Sequence, residues 1–121
     1  MFGKGVYFAD MASKSAQYCH SHLSDGVALL LLCDVAVGTP NNLLHSDFNA
    51  SNLPDGKHCT KGVGRTGPKA TNSVSHAEGF SIPMGPAHHT SAINGSLEYN
   101  EYIVYDVKQI KLKYLLKCRM C

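Results

Sequence analysis

Tryptophan is absent from this 121-residue chain, and charged residues make up only 17% of it. Eleven Lys and Arg against nine Asp and Glu leave a net charge of +2, too slight a surplus to hold nucleic acid or an anionic membrane through bulk charge. Partners therefore have to be read from sites. Long hydrophobic runs are also missing: the longest, Val27 to Cys33, stops at Asp34, far short of the roughly 20 residues of a membrane helix. The opening Met1-Phe2-Gly3-Lys4-Gly5 lacks a basic region followed by an apolar stretch and a small-residue cleavage site, so no signal peptide is expected. Gly62-Val63-Gly64 lacks the third glycine and following helix of a dinucleotide fingerprint, and no Gly-Lys-Ser or Gly-Lys-Thr phosphate loop exists. No repeat is present at any period, which excludes solenoids and coiled coils.

The five cysteines are odd in number and irregularly spaced. Cys118-Arg119-Met120-Cys121 has no second Cys-x-x-Cys beside it, although Cys19-His20-Ser21-His22 offers three potential ligands. Neither a disulfide framework nor a metal site is expected, and a reducing compartment, cytosol or nucleus, fits best.

What is present is 44% hydrophobic residues, enough to bury the core of one domain. Gly5 to Ala9 reads as a short strand, followed by Asp10 as the N-cap of a helix running to about His22. On that helix Met11, Ser15, Tyr18 and His22 share a face, with Lys14 and Cys19 at its margins. A serine and a tyrosine on a face fit for packing are out of place. Val27 to Val37 predicts a strand buried on both faces at the centre of a sheet. Asn41 to Ser96 is a polar excursion with a short strand around His58 to Val63 and turns at Pro54-Asp55-Gly56 and Asn94-Gly95. Tyr99 to Tyr105 returns to strand character. Lys111 to Met120 alternates, which predicts Leu112, Tyr114, Leu116, Cys118 and Met120 on a buried side and Lys111, Lys113, Lys117 and Arg119 on a wet one. The basic stripe is read as protection of a terminal strand edge rather than a phosphate contact. The scattered His45, His58, His76, His88 and His89 are read as surface loop. The fold class is β-rich α+β.

Glu101 is the most informative residue. Alternation points it the same way as Tyr99, Ile103 and Tyr105, so a carboxylate lies in line with apolar and aromatic side chains. Such a group near a strand end either reaches solvent or pairs with a lysine, or else it is placed to stabilise positive charge or orient a hydroxyl.

Together the strings Gly3-Lys4-Gly5-Val6-Tyr7-Phe8-Ala9-Asp10, Ser13-Lys14-Ser15-Ala16-Gln17-Tyr18-Cys19, Gly56-Lys57-His58, Lys61-Gly62-Val63-Gly64, Tyr99-Asn100-Glu101-Tyr102-Ile103-Val104-Tyr105-Asp106 and Lys113-Tyr114-Leu115-Leu116-Lys117 resemble the poly(ADP-ribose) polymerase catalytic domain, in particular its DNA-damage-responsive nuclear members. The resemblance implies an ADP-ribosyltransferase-like fold, here the C-terminal part of its split antiparallel sheet with one main helix. It also implies transfer of ADP-ribose from NAD to protein acceptors or a growing chain, with release of nicotinamide. By the same resemblance Glu101 and Tyr7 match two members of the family's His-Tyr-Glu triad. Ser15 matches the serine that bonds the nicotinamide carboxamide, Tyr18 the tyrosine that stacks on the ring, and Lys14 a lysine close to the glutamate. Ala9 lies where the family lines the same pocket. A nuclear location, DNA repair, and DNA contact only through modules outside residues 1–121 are further expectations from the resemblance, and no metal or membrane is implied.

No histidine here stands in the family's His-Gly-Ser context. Residues 1–121 are therefore expected to form a partial catalytic domain without its N-terminal half. The alternative is a catalytically dead fragment acting at most as a binding module.

Overall fold

Gly5 opens the first strand because nothing larger fits: a Cβ there would lie 2.7 Å from Ile103 Cγ2 and 2.8 Å from the Val104 carbonyl oxygen. The chain can thus lie flush against a buried neighbour. In the computed structural model, which describes residues 1–120, the strands are β1 (Val6–Phe8), β2 (Val27–Val35), β3 (Pro40–Leu43), β4 (Cys59–Gly62), β5 (Gly64–Pro68), β6 (Val74–Ser75), β7 (Ser81–Ile82), β8 (Ala87–His89), β9 (Leu97–Tyr99), β10 (Glu101–Val104) and β11 (Ile110–Arg119), and the α-helix is α1 (Ala12–Ala16). The class is α+β with one main helix, as the sequence reading holds.

One sheet runs β1-β10-β4-β3, another β8-β5-β9, and β2-β11 and β6-β7 form two-stranded ribbons. Pairing is antiparallel except at β3-β4 and β5-β9, which are parallel and so depart from a purely antiparallel sheet. The polar excursion thus carries β3 to β8 as well as its turns. The expected strand around His58 to Val63 is β4. Phe2, Ala50, Leu97 and Ile103 form the core, with Leu43 and Tyr105 packed against it. Tyr105 closes this core at its polar margin, its hydroxyl lying 2.7 Å from the Phe2 carbonyl oxygen and 2.9 Å from Thr60 Oγ1.

Four expectations are corrected. The helix ends at Ala16, tightens into a 3-10 turn over Gln17–Cys19, and is broken at His20, whose left-handed backbone (φ 46°) cannot continue it. Asp10 does not cap it either: Met11 takes that position without a side-chain bond, because the Asp10 carboxylate is engaged by Asn100 and Tyr102.

The apolar β2 is not central. Among the described residues it pairs only with β11, and Leu29, Leu31 and Leu32 stand exposed. An apolar run reports that both faces suit burial, but besides β11 it is α1 and the turns after it that pack on β2, and they leave these leucines in the open.

In β11 the alternation breaks at a bulge between Leu112 and Tyr114. Leu112, Tyr114 and Leu116 are exposed rather than buried, and Lys113 reaches to within 3.8 Å of Asp34 on β2.

Candidate active site

The register of β1 on β10 sets Tyr7 opposite Ile103 and Phe8 opposite Tyr102. One step further along the same register, Ala9 comes opposite Glu101. The chain then turns into α1, whose first residues pass over the start of β10. This turn gathers Tyr7, Phe8, Ala9, Lys14, Ser15, Tyr18 and Glu101 around one cleft of about 510 Å³, within the range that takes small organic ligands. All six residues singled out in the sequence line it. Phe8 joins them, and only the strand register identifies it.

Glu101 is 5% exposed, and its Oε1 stands 2.8 Å from Lys14 Nζ. Burial works against the Lys14 charge, but the hydrogen bond and charge of Glu101, with a smaller share from Tyr18, outweigh it and hold the ammonium above its ordinary value. The same ammonium lies 5.5 Å from the centre of the Tyr18 ring, within reach of a cation–π attraction. Of the alternatives in the sequence, the structure shows the pairing with a lysine and not a reach into solvent.

Tyr18 is 68% exposed, so a flat apolar surface is open to the cleft. Ser15 sits about one turn before it on the same face. Among the described residues no group hydrogen-bonds the Ser15 hydroxyl, which leaves it free for a ligand. Of the face expected to run Met11, Ser15, Tyr18 and His22, only the middle two line the cleft. Tyr7 is tied elsewhere: its hydroxyl donates to the Gly3 carbonyl at 2.8 Å and accepts from the Phe2 amide at 3.0 Å.

Among the described residues no cluster of three or more His, Cys, Asp or Glu could hold a metal ion. The Cys118-x-x-Cys121 motif is only half visible, since Cys121 lies outside the described residues. Also among the described residues, no helix is long and apolar enough to cross a membrane.

The cleft thus offers a buried carboxylate fixed by a lysine, a free hydroxyl and an open aromatic face. Comparison with known proteins places nearly the whole chain in one family. The family model described as the poly(ADP-ribose) polymerase catalytic domain matches residues 1–120. Poly [ADP-ribose] polymerase 2 of Arabidopsis thaliana is 51% identical over 119 residues, covering 98% of this chain and 19% of its own length. Poly [ADP-ribose] polymerase 1 of Danio rerio is 53% identical over 119 residues, covering 98% and 12%. Poly [ADP-ribose] polymerase 2 of Homo sapiens is 48% identical over 120 residues, covering 97% and 20%. The chain spans about a fifth or less of the length of these curated relatives.

Proposed function

Because this chain belongs to the family of poly(ADP-ribose) polymerase catalytic domains, we propose that its cleft takes the nicotinamide end of NAD and serves ADP-ribosyl transfer with release of nicotinamide. The observation that supports this most is the meeting, in one cleft, of the Lys14–Glu101 pair with the free Ser15 hydroxyl and the open Tyr18 ring.

A planar amide-bearing ring needs a stacking surface and a polar anchor. Tyr18 supplies the first and Ser15 the second, with Ala9 and Tyr7 lining the pocket. When the bond between ribose C1′ and the nicotinamide nitrogen breaks, its electron pair leaves with nicotinamide and positive charge grows on the sugar. The Glu101 carboxylate stabilises that charge, as carboxylates do in glycoside cleavage. The acceptor oxygen then bonds to C1′ and gives up its proton to water, and Glu101 accepts a hydrogen bond from the 2′-hydroxyl or from the incoming acceptor. Lys14 fixes the carboxylate where both can occur.

On this reading residues 1–121 are part of a larger catalytic domain whose histidine-bearing half lies upstream. Its partners are acceptor proteins and ADP-ribose chains, DNA is met only through other modules, and its location is nuclear.

The test is Glu101→Gln in the natural polypeptide that carries this sequence. Chain elongation from NAD should be abolished while the melting temperature falls by less than about 8 °C, because Gln keeps the shape and one acceptor oxygen. Unchanged elongation would overturn the role of Glu101. The uncovered β2-β11 ribbon favours a second reading, an inert interaction module. It requires that a nicotinamide analogue cause no thermal shift in that polypeptide.

A further inference from the structure

Backbone pairing between β1 and β10 runs Val6 to Val104, Tyr7 to Ile103 and Phe8 to Tyr102. Continued by two residues, that register brings Asp10 opposite Asn100. Here side chains take over from the ladder. Asn100 Nδ2 donates to Asp10 Oδ2 at 2.8 Å, and the Tyr102 hydroxyl donates to the same oxygen at 3.2 Å. Asn100 is buried and anchored from behind, its Oδ1 accepting from the Gly64 amide at 2.9 Å.

Residues 100 and 102 flank Glu101, and strand alternation directs their side chains away from the one between them. A single carboxylate oxygen therefore grips the segment on both sides of Glu101, from the face that Glu101 does not use. Asp10 also immediately precedes Met11, the N-cap of the helix that carries Lys14 and Ser15. One residue thus ties the strand bearing the acid to the helix bearing its lysine. The donors are dependable: burial first, and then the charge and hydrogen bond of Asp10, push the Tyr102 phenol far above its ordinary value, so it stays protonated. Among the described residues nothing comparable holds Glu101 from its own side, where Lys14 is its side-chain partner.

We propose that Asp10 is a positioning residue for Glu101, setting the carboxylate over the cleft through Asn100 and Tyr102; this rests on reading the cleft as the transferase site. Loss of the grip leaves Asn100 and Tyr102 without their charged acceptor and lets Glu101 drift. Ser15 and Tyr18, both carried by α1 and the turn after it, keep their mutual geometry. The signature is a loss of turnover without a loss of ring binding.

The test measures NAD turnover and inhibition by free nicotinamide in the natural polypeptide that carries this chain, for Asp10→Ala, Asp10→Asn and Glu101→Gln. Asp10→Ala should lower kcat about 10- to 100-fold while the nicotinamide inhibition constant stays within about threefold. Asp10→Asn should recover most of the loss, since its carbonyl can replace Oδ2 and its nitrogen falls where Oδ1 has no partner among the described residues. If Asp10→Ala does not fold, the same split is read on Tyr102→Phe, which removes one of the two donors. Full turnover in Asp10→Ala beside an inactive Glu101→Gln overturns this inference alone. So does a nicotinamide constant that rises in step with the kcat loss, because Asp10 would then be building the helix. Full turnover in Glu101→Gln overturns the underlying reading of the cleft instead.

Discussion

Lys14 and Glu101 come from opposite ends of the chain and meet at 2.8 Å, the lysine on a five-residue helix and the glutamate at the first position of β10. The helix is too short to be stable alone. Its place depends on the β1 turn before it and on this pair.

Replacing Lys14 with Met should therefore cost about 1–3 kcal/mol, as for a mostly buried charge left without its partner. The pH dependence follows from the raised lysine, whose ordinary value is 10.5. A cation raised on folding contributes fully below its unfolded value and loses that contribution as pH rises through the folded one. The melting-temperature gap between wild type and K14M should be level from about pH 7 to about pH 10 and shrink above it. A gap that closes between about pH 7 and pH 9 would show that another group governs the pair.

Gly64 is where two segments touch backbone to backbone. A Cβ would stand 2.2 Å from the Tyr99 carbonyl carbon and 2.5 Å from the Asn100 nitrogen, with no flexible side-chain end to yield. Gly64→Ala should cost about 3 kcal/mol or more in urea denaturation. Gly56 provides the contrast, with φ +76° and no atom within 4 Å of the place a methyl would take. Gly56→Ala should cost only about 1 kcal/mol, the strain of a left-handed backbone. Equal costs at the two positions would remove the steric argument.

In the β2-β11 ribbon, Leu31 and Leu115 are cross-strand partners, 60% and 66% exposed. Residues 1–121 prepared alone should bind a hydrophobic dye, and Leu31→Thr with Leu115→Thr should remove about half of the signal, threonine preserving strand propensity. Dye binding that is absent from the start would mean that the ribbon is covered by the chain itself or by a second copy.

Three of the cleft residues were legible because each lies inside a local pattern, whereas Tyr7 and Ala9 were named only through the family resemblance. Ser15 and Tyr18 stand out as polar groups at helical spacing, and Glu101 as a carboxylate on an apolar strand face. Phe8, Asn100 and Tyr102 carry no such mark. Their part depends on which strand lies beside which, and β1 and β10 are separated by most of the chain. Asp10 was legible only as a cap, because an aspartate before a helix has that use locally and its partners here are distant.

Composition and periodicity by themselves determined the α+β class, the strands at β1, β2, β4, β10 and β11, and the unusual placing of Ser15, Tyr18 and Glu101, while the chemistry assigned to them came from the family resemblance. Class, strands and placing follow from propensity and alternation within a few residues. Only the tertiary structure decided that β2 lies in a two-stranded ribbon, that α1 stops after five residues, and that Asp10 serves the strand rather than the helix. Each of these rests on competition between a local preference and a contact made across the sheet, and a partly buried carboxylate with two donors outweighs one helix cap.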